Sequence, residues 1–181
     1  MTGGLPPWAR VSDARRAHVE RVAALLAEWA AAMNVPPAEG ARWARAAFLH
    51  DALRDADREM LEGLAPEWSD LPRLQHGPAA AVLAEREGES DPGVLSAVRY
   101  HSVGYDGWDS AGRMVYLADY LEPGRKFRAE EHRAQAQRVP GEPMAVLLEV
   151  ARERLRWIIE DRRPLLGETI RFWNALVSGT S

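Results

Sequence analysis

A chain of 181 residues, 46% hydrophobic and 28% charged, is long enough to bury a packed core and too apolar to be disordered throughout. Its formal charge of -4 excludes a global basic field for holding nucleic acid, although a bound cation can still make the potential positive locally. It has no cysteine, which excludes disulfides, thiolate nucleophiles and sulfur-ligated metal, so any metal must take nitrogen and oxygen ligands.

No apolar run approaches the roughly 20 residues needed to cross a bilayer, and the opening residues 1–16 lack the apolar centre of a signal peptide. We therefore expect no membrane partner, no stable nucleic-acid partner and a cytoplasmic location. Between Pro and Gly breaks, apolar residues recur at helical spacing, and nothing alternates with a strand's period of two. The expected fold class is all-α, a helical bundle forming one domain over residues 1–181 with its core at about 12–177.

The first helix is predicted from Asp13 to Met33, capped by Ser12, with Val19, Val22, Leu26, Trp29 and Met33 as its stripe. Asn34 and Pro36-Pro37 end it and open a second helix that runs through Trp43, Ala47, Phe48 and Leu49 into His50-Asp51. A short amphipathic piece covers Arg58 to Leu64. Gly77-Pro78 starts a helix through Glu87, and Asp91-Pro92 starts another that leads through Val94, Ala97 and Val98 to His101. After a Gly-rich loop the next helix is predicted over Arg113 to Glu122. Residues 125–142, polar and of both charge signs, read as an exposed connection. Pro143 opens a long helix bearing Leu147, Leu148, Leu155, Trp157 and Ile158, and a last one spans about Glu168 to Val177.

Four of the five histidines are placed to point inward. His18 lies one turn before Val22 on the first stripe, His50 follows Phe48-Leu49, His101 closes an apolar face, and His76 can bend over the end of the bundle from a helix start. His132, in the charge run Arg128 to Arg133, reads as solvated and is left out. Asp51 adjoins His50, and Asp119 sits inside Val115-Tyr116-Leu117-Ala118-Asp119-Tyr120-Leu121, where an unpaired carboxylate is costly to bury. Any one of these is more simply a hydrogen-bonded core residue. Taken in order on successive helices, His18, His50, Asp51, His76, His101 and Asp119 form a set suited to iron, manganese or zinc. Such a site attracts phosphate oxygens and acidifies water, providing a nucleophile at neutral pH without serine or cysteine.

The order His18, His50-Asp51, Asp119 resembles the metal signature of the HD-domain hydrolases. His76-Gly77 and His101 resemble one branch, the YqeK family of symmetrical diadenosine tetraphosphate hydrolases. His101-Ser102-Val103-Gly104, followed by Val115-Tyr116-Leu117-Ala118-Asp119-Tyr120-Leu121-Glu122-Pro123-Gly124-Arg125-Lys126-Phe127, is similar to that family's "H-T-x-G … I-Y-x-A-D-Y-I-E-P-x-R-x-F". Arg16-Ala17-His18-Val19-Glu20-Arg21-Val22 is similar in kind to its opening motif, and Thr169 and Asn174 to its closing "T-x-x-x-x-N". The likeness runs from about Arg15 to Asn174. It implies an HD-type helical bundle with two divalent or mixed-valence ions, iron first among them, cleaving diadenosine tetraphosphate into two ADP. It further implies that His18, His50 and Asp119 hold one ion and His76 and His101 the other, with Asp51 bridging. Arg54 stands where the family has Lys, Ala80 where it tends to have Gly, and Ser102 where it has Thr.

Asp51 and Arg54 are the expected catalytic pair. Arg54, Arg113 and Arg125 are candidates to bind the phosphates of a nucleotide substrate, and Arg54 lies within about one helical turn of the metal. Tyr105 and Trp108, in the loop that also holds Asp106 and Asp109, are candidates to stack on an adenine; Asp106 and Asp109 could reach the mouth of the site. Two other uses stay open at this point. Arg54 in place of Lys favours hydrolysis of a different nucleotide, a mono- or triphosphate. A non-catalytic metal- or nucleotide-binding regulatory module is disfavoured by a ligand set with no member missing.

Overall fold

The computed structural model describes residues 4–179, and no strand occurs among them. The helices are α1 (Asp13–Ala32), α2 (Pro37–His50), α3 (Arg58–Leu64), α4 (His76–Arg86), α5 (Pro92–Tyr100), α6 (Ser110–Leu121), α7 (Ala129–Arg138), α8 (Pro143–Glu160) and α9 (Gly167–Val177), with a 3-10 turn at Pro66–Trp68. Local chemistry explains most of the boundaries. The Ser12 hydroxyl accepts from the Arg15 N–H at the start of α1, and the Asp57 carboxylate accepts from Met60 N–H at the start of α3. Asn34, with φ 51°, takes the left-handed turn that closes α1. Proline stands in the first turn of α2, α5 and α8.

The centre of the bundle is α6, whose residues from Met114 to Asp119 are all buried. A helix covered nearly all round needs partners on every side, and α6 packs against α1, α2, α5, α7 and α8. Two expectations are corrected here. The helix starts at Ser110 rather than Arg113, because Asp109 caps it by accepting from Ala111 N–H. Gly112 then leaves room for the Trp108 indole, which a Cβ there would meet at 2.2 Å. Residues 125–142 are more than an exposed connection. They contain α7, whose inner edge buries His132, Gln135 and Ala136, with Val139 just beyond. The His132 ring packs against Tyr120 at 4.7 Å, so this histidine is a core residue and not a solvated one.

Arg42 ties three elements together outside the core. Its guanidinium bonds Asp91 through Nε at 2.6 Å and Nη2 at 2.9 Å, Glu39 at 2.7 Å, and Asp109 at 2.5 Å. Asp91 also caps α5, accepting from Gly93 and Val94. The Arg42 hydrogen bonds, with those backbone donors, bring its carboxyl down to about 2 against the cost of burial. Asp91→Ala is expected to destabilise the fold by about 1–2 kcal/mol at neutral pH, read from urea unfolding. A depressed folded-state pKa means that the carboxylate's contribution is present above the ordinary Asp value near 3.9 and lost as pH falls toward about 2. The difference between variant and parent should therefore narrow in acid; a constant difference would assign the effect to packing.

Candidate metal centre and cleft

Five elements deliver the six candidate ligands to one place. His18 comes from α1, His50 and Asp51 from the end of α2, His76 from the first turn of α4, His101 from the end of α5 and Asp119 from the middle of α6; all six are buried. Gly77 permits a close approach of backbones. A Cβ there would lie 2.9 Å from the Val98 carbonyl oxygen and 3.0 Å from His101 Cε1, so α4 meets α5 backbone to backbone and His76 reaches His101.

Asp51 stands between two histidine pairs and offers one oxygen to each. Its Oδ2 lies 3.7 Å from His18 Nε2 and 3.6 Å from His50 Nε2, and its Oδ1 lies 3.0 Å from His76 Nε2 and 3.5 Å from His101 Nε2. Asp119 Oδ1 joins the first pair, 3.2 Å from His18 Nε2 and 4.0 Å from His50 Nε2. Two groups of possible ligand atoms result, His18-His50-Asp51 and Asp51-His76-His101.

The rings are held as metal ligands need to be. Nδ1 of His18 faces Glu122 Oε1 at 3.1 Å, that of His50 faces Ala47 O at 2.7 Å and that of His101 faces Val98 O at 2.8 Å. Those oxygens can only accept, so each Nδ1 carries the hydrogen and each Nε2 presents a lone pair inward. Nε2 of His18 and of His50 is buried with no aligned hydrogen-bond partner. An unmet lone pair is costly in a core, and a cation between these atoms satisfies it, so the residues fit a divalent metal. His76 is held differently: Arg54 Nη1 lies 3.2 Å from its Nδ1, and its Nε2 lies 3.0 Å from Asp51 Oδ1.

The charges match this arrangement. Burial opposes ionisation of Asp51, yet the imidazoles of His50, His101 and His76 hold its carboxyl well below the usual range. Asp119 is likewise held low against burial, by His18 and the Arg125 guanidinium. Burial brings His50 down to about 4, which keeps it neutral. His18 is raised, because the carboxylates of Asp119 and Glu122 outweigh its burial.

A family model described as "HD domain" matches residues 15–124, which is more than half of the chain and includes all six of these side chains. The chain belongs to the HD domain family. It is similar to proteins named symmetrical bis(5'-nucleosyl)-tetraphosphatase. With that of Bacillus subtilis it is 32% identical over 111 residues, 60% of this chain and 58% of the relative. With that of Halalkalibacterium halodurans it is 28% identical over 142 residues, 73% of this chain and 74% of the relative. The match thus spans less than two thirds of the B. subtilis protein. A crystal structure of a "predicted HD superfamily hydrolase involved in NAD metabolism" from Clostridium acetobutylicum shares the fold, with a TM-score of 0.82 at 23% identity over 93% of this chain and 92% of that one.

The HD centre opens into a cleft of about 730 Å³. Arg15, Arg54, Arg73, Arg125, Arg154 and Arg163 line it, against the carboxylates of Asp51, Asp70 and Asp119, so a chain of net charge -4 has a locally basic cleft. Arg125 Nη2 bonds Asp119 Oδ1 at 2.6 Å, and Arg54 reaches the Arg73 carbonyl at 2.9 Å. Other candidates lie elsewhere. Arg113 extends toward Met144 Sδ, 3.9 Å away, and does not line the cleft. Trp108 is buried against Tyr116 and Phe172 and donates its indole N–H to Ser96 O, so its ring has no face free for a base. Tyr105 stacks on Tyr100 at 4.6 Å. Asp109 is a helix cap and an Arg42 partner, and neither it nor Asp106 borders the cleft.

Three residues absent from the sequence-based candidates lie against the candidate ligands. Arg15 Nη1 bonds Asp51 Oδ2 at 2.7 Å, Glu122 faces His18, and Arg154 lies 3.9 Å from Asp119 Oδ2 while donating to Ser102 O at 2.9 Å. Arg15 precedes His18 by three residues and Glu122 follows Asp119 by three, the spacing at which helical neighbours share a face. No such spacing links Arg154 to any ligand. Among the described residues, no helix is long and apolar enough to cross a membrane.

Proposed function

We propose that this HD-domain chain is a metal-dependent phosphohydrolase that cleaves dinucleoside polyphosphates, diadenosine tetraphosphate into two ADP. The observation that carries the reading is Asp51, a buried carboxylate with one oxygen toward His18 and His50 and the other toward His76 and His101. We assign one ion to His18, His50 and Asp119, a second to His76 and His101, and a shared role to Asp51. Iron is the first choice of metal, with manganese or zinc as the other nitrogen- and oxygen-compatible choices. Bound there, the ions supply Lewis-acid polarisation of a phosphoryl oxygen and lower the pKa of water enough for attack at neutral pH.

The chain's own residues do the rest. Arg15, Arg125 and Arg154 stand around the two aspartates and give the phosphate oxygens charged donors on the cleft floor. Arg54 holds the Arg73 segment and faces His76, so we assign it to positioning as well as phosphate contact, in place of direct proton transfer. Ser102 Oγ lies 3.0 Å from His101 Nε2, within reach of the same centre. The cleft takes side chains from α1, α4, α6, α8 and α9 and from the ends of α2 and α5, which supports reading the chain as one working unit.

Hydrolysis in heavy-oxygen water by metal-loaded protein tests this. Diadenosine tetraphosphate should yield ADP alone, with label in half of it, because one water adds to one of two equivalent halves. ATP with AMP would exclude central cleavage. Turnover of mono- or triphosphates alone would move the chain to another substrate class.

A further inference from the structure

The phosphate-binding floor accounts for only part of the cleft. Above it, the wall formed by α8 and the segment after it is apolar, with Trp157, Ile158, Pro164 and Leu166 facing the opening. Trp157 stands out there because it is 53% exposed, whereas Trp29, Trp43 and Trp108 are buried. Its place on α8 is set by spacing: Arg154, Trp157 and Ile158 share one helical face, so the residue that reaches the centre also brings the indole to the cleft rim.

The turn that ends α8 covers this ring from one side. Asp161 N–H bonds the Trp157 carbonyl, and Arg162 takes a left-handed φ of 54°. Arg163 N–H then returns to Ile158 O at 3.0 Å, and the Arg163 guanidinium carbon lies 4.4 Å from the indole centroid. Asp161 pairs with the same guanidinium and holds it in place. A large aromatic ring with an arginine fixed over it, at the mouth of an arginine-lined cleft, has the parts of a base-binding platform: a π surface, a cation beside it and phosphate donors below.

We propose that Trp157, covered by Arg163, is the platform on which the cleft stacks a nucleobase of its substrate. The assignment rests on the nucleotide reading above and adds the residue that separates a nucleotide from a bare polyphosphate. Arg154 and the other floor arginines recognise phosphate alone, which any polyphosphate offers. Stacking on Trp157 responds only to the base. Because every base has a π face, the platform selects nucleotides over inorganic phosphates without selecting strongly among bases.

The test is calorimetric binding of ADP and of inorganic pyrophosphate to metal-loaded protein, comparing the parent with Trp157→Ala and Trp157→Phe. Trp157→Ala should weaken ADP about ten- to hundred-fold and leave pyrophosphate unchanged, and Trp157→Phe should recover most of the loss. Equal ADP affinity in parent and Trp157→Ala overturns the platform and leaves the nucleotide reading intact. An equal loss for ADP and pyrophosphate also overturns it, since the ring would then be supporting the cleft and not a base. A parent protein that binds ADP no better than pyrophosphate overturns the platform and the nucleotide reading together.

Discussion

Protein carrying Asp51→Asn is expected to lose essentially all tightly bound divalent metal and on the order of 10³-fold or more of the proposed phosphohydrolase rate, with its helical circular dichroism preserved. Asp51 is the only candidate ligand that faces both histidine pairs, so removing its charge affects both halves of the centre. The helices should survive because the core rests on Val22, Leu26, Trp43, Leu53, Val98 and Leu117, all fully buried and none of them a ligand. His101→Ala provides the contrast. Of the two Asp51 oxygens His101 faces Oδ1, so its loss should remove about one metal equivalent per chain, and most of the activity, while His18, His50 and Asp119 keep theirs. Metal analysis of protein loaded with iron or manganese decides the matter. One full equivalent retained by Asp51→Asn would show that Asp51 does not bridge, and an unchanged content in His101→Ala would take His101 out of the ligand set.

The candidate ligands are legible in the sequence because a buried polar cluster places polar residues where the helical period demands apolar ones. His18 interrupts the stripe of Val19, Val22 and Leu26, and Asp119 sits in an otherwise apolar helix. Helix starts at Ser12 and Asp91 are legible for a similar reason, since a short polar side chain before a periodic run has one local use there. The residues that line the cleft are not, because aromatic and arginine side chains suit several environments and only packing chooses among them. Trp108 lies in a loop with two glycines nearby, which suggests exposure, yet Gly112 opens a space on α6 that the indole fills. Trp157 belongs by period with Leu147 and Ile158, yet α8 is buried only as far as Ala151 and its last turns extend beyond the core. His132 was hidden among charges because the buried edge of α7 is made of His, Gln and Ala, which no hydrophobic pattern marks.

Glu122→Gln is expected to weaken metal binding about 10–100-fold, the usual effect of removing the group that orients a histidine ligand. The Glu122 side chain is 2% exposed and ends α6 one turn beyond Asp119. It lies 3.1 Å from His18 Nδ1 and accepts from Arg21 Nε at 2.5 Å and Gly124 N–H at 2.7 Å. Burial favours its neutral acid, but His18, Arg21 and the Gly124 N–H overcome this and hold the carboxyl down at about 2. The carboxylate therefore stays charged through neutral pH and fixes the His18 hydrogen on Nδ1, which leaves Nε2 free to bind metal. Glutamine keeps the shape and an acceptor oxygen but removes the charge, and its amide can flip to present a donor to His18. Activity should fall with metal occupancy and recover largely when metal is added in excess, which separates a loss of orientation from a loss of catalytic chemistry. Because the folded-state pKa is depressed, the carboxylate's contribution to stability is present above the ordinary Glu value near 4.3 and is lost as pH falls toward about 2. The stability difference between Glu122→Gln and its parent should consequently shrink over that interval. Parent-like metal affinity in Glu122→Gln would mean that the backbone of α1 alone orients His18 and that the buried carboxylate serves only Arg21 and the turn at Gly124.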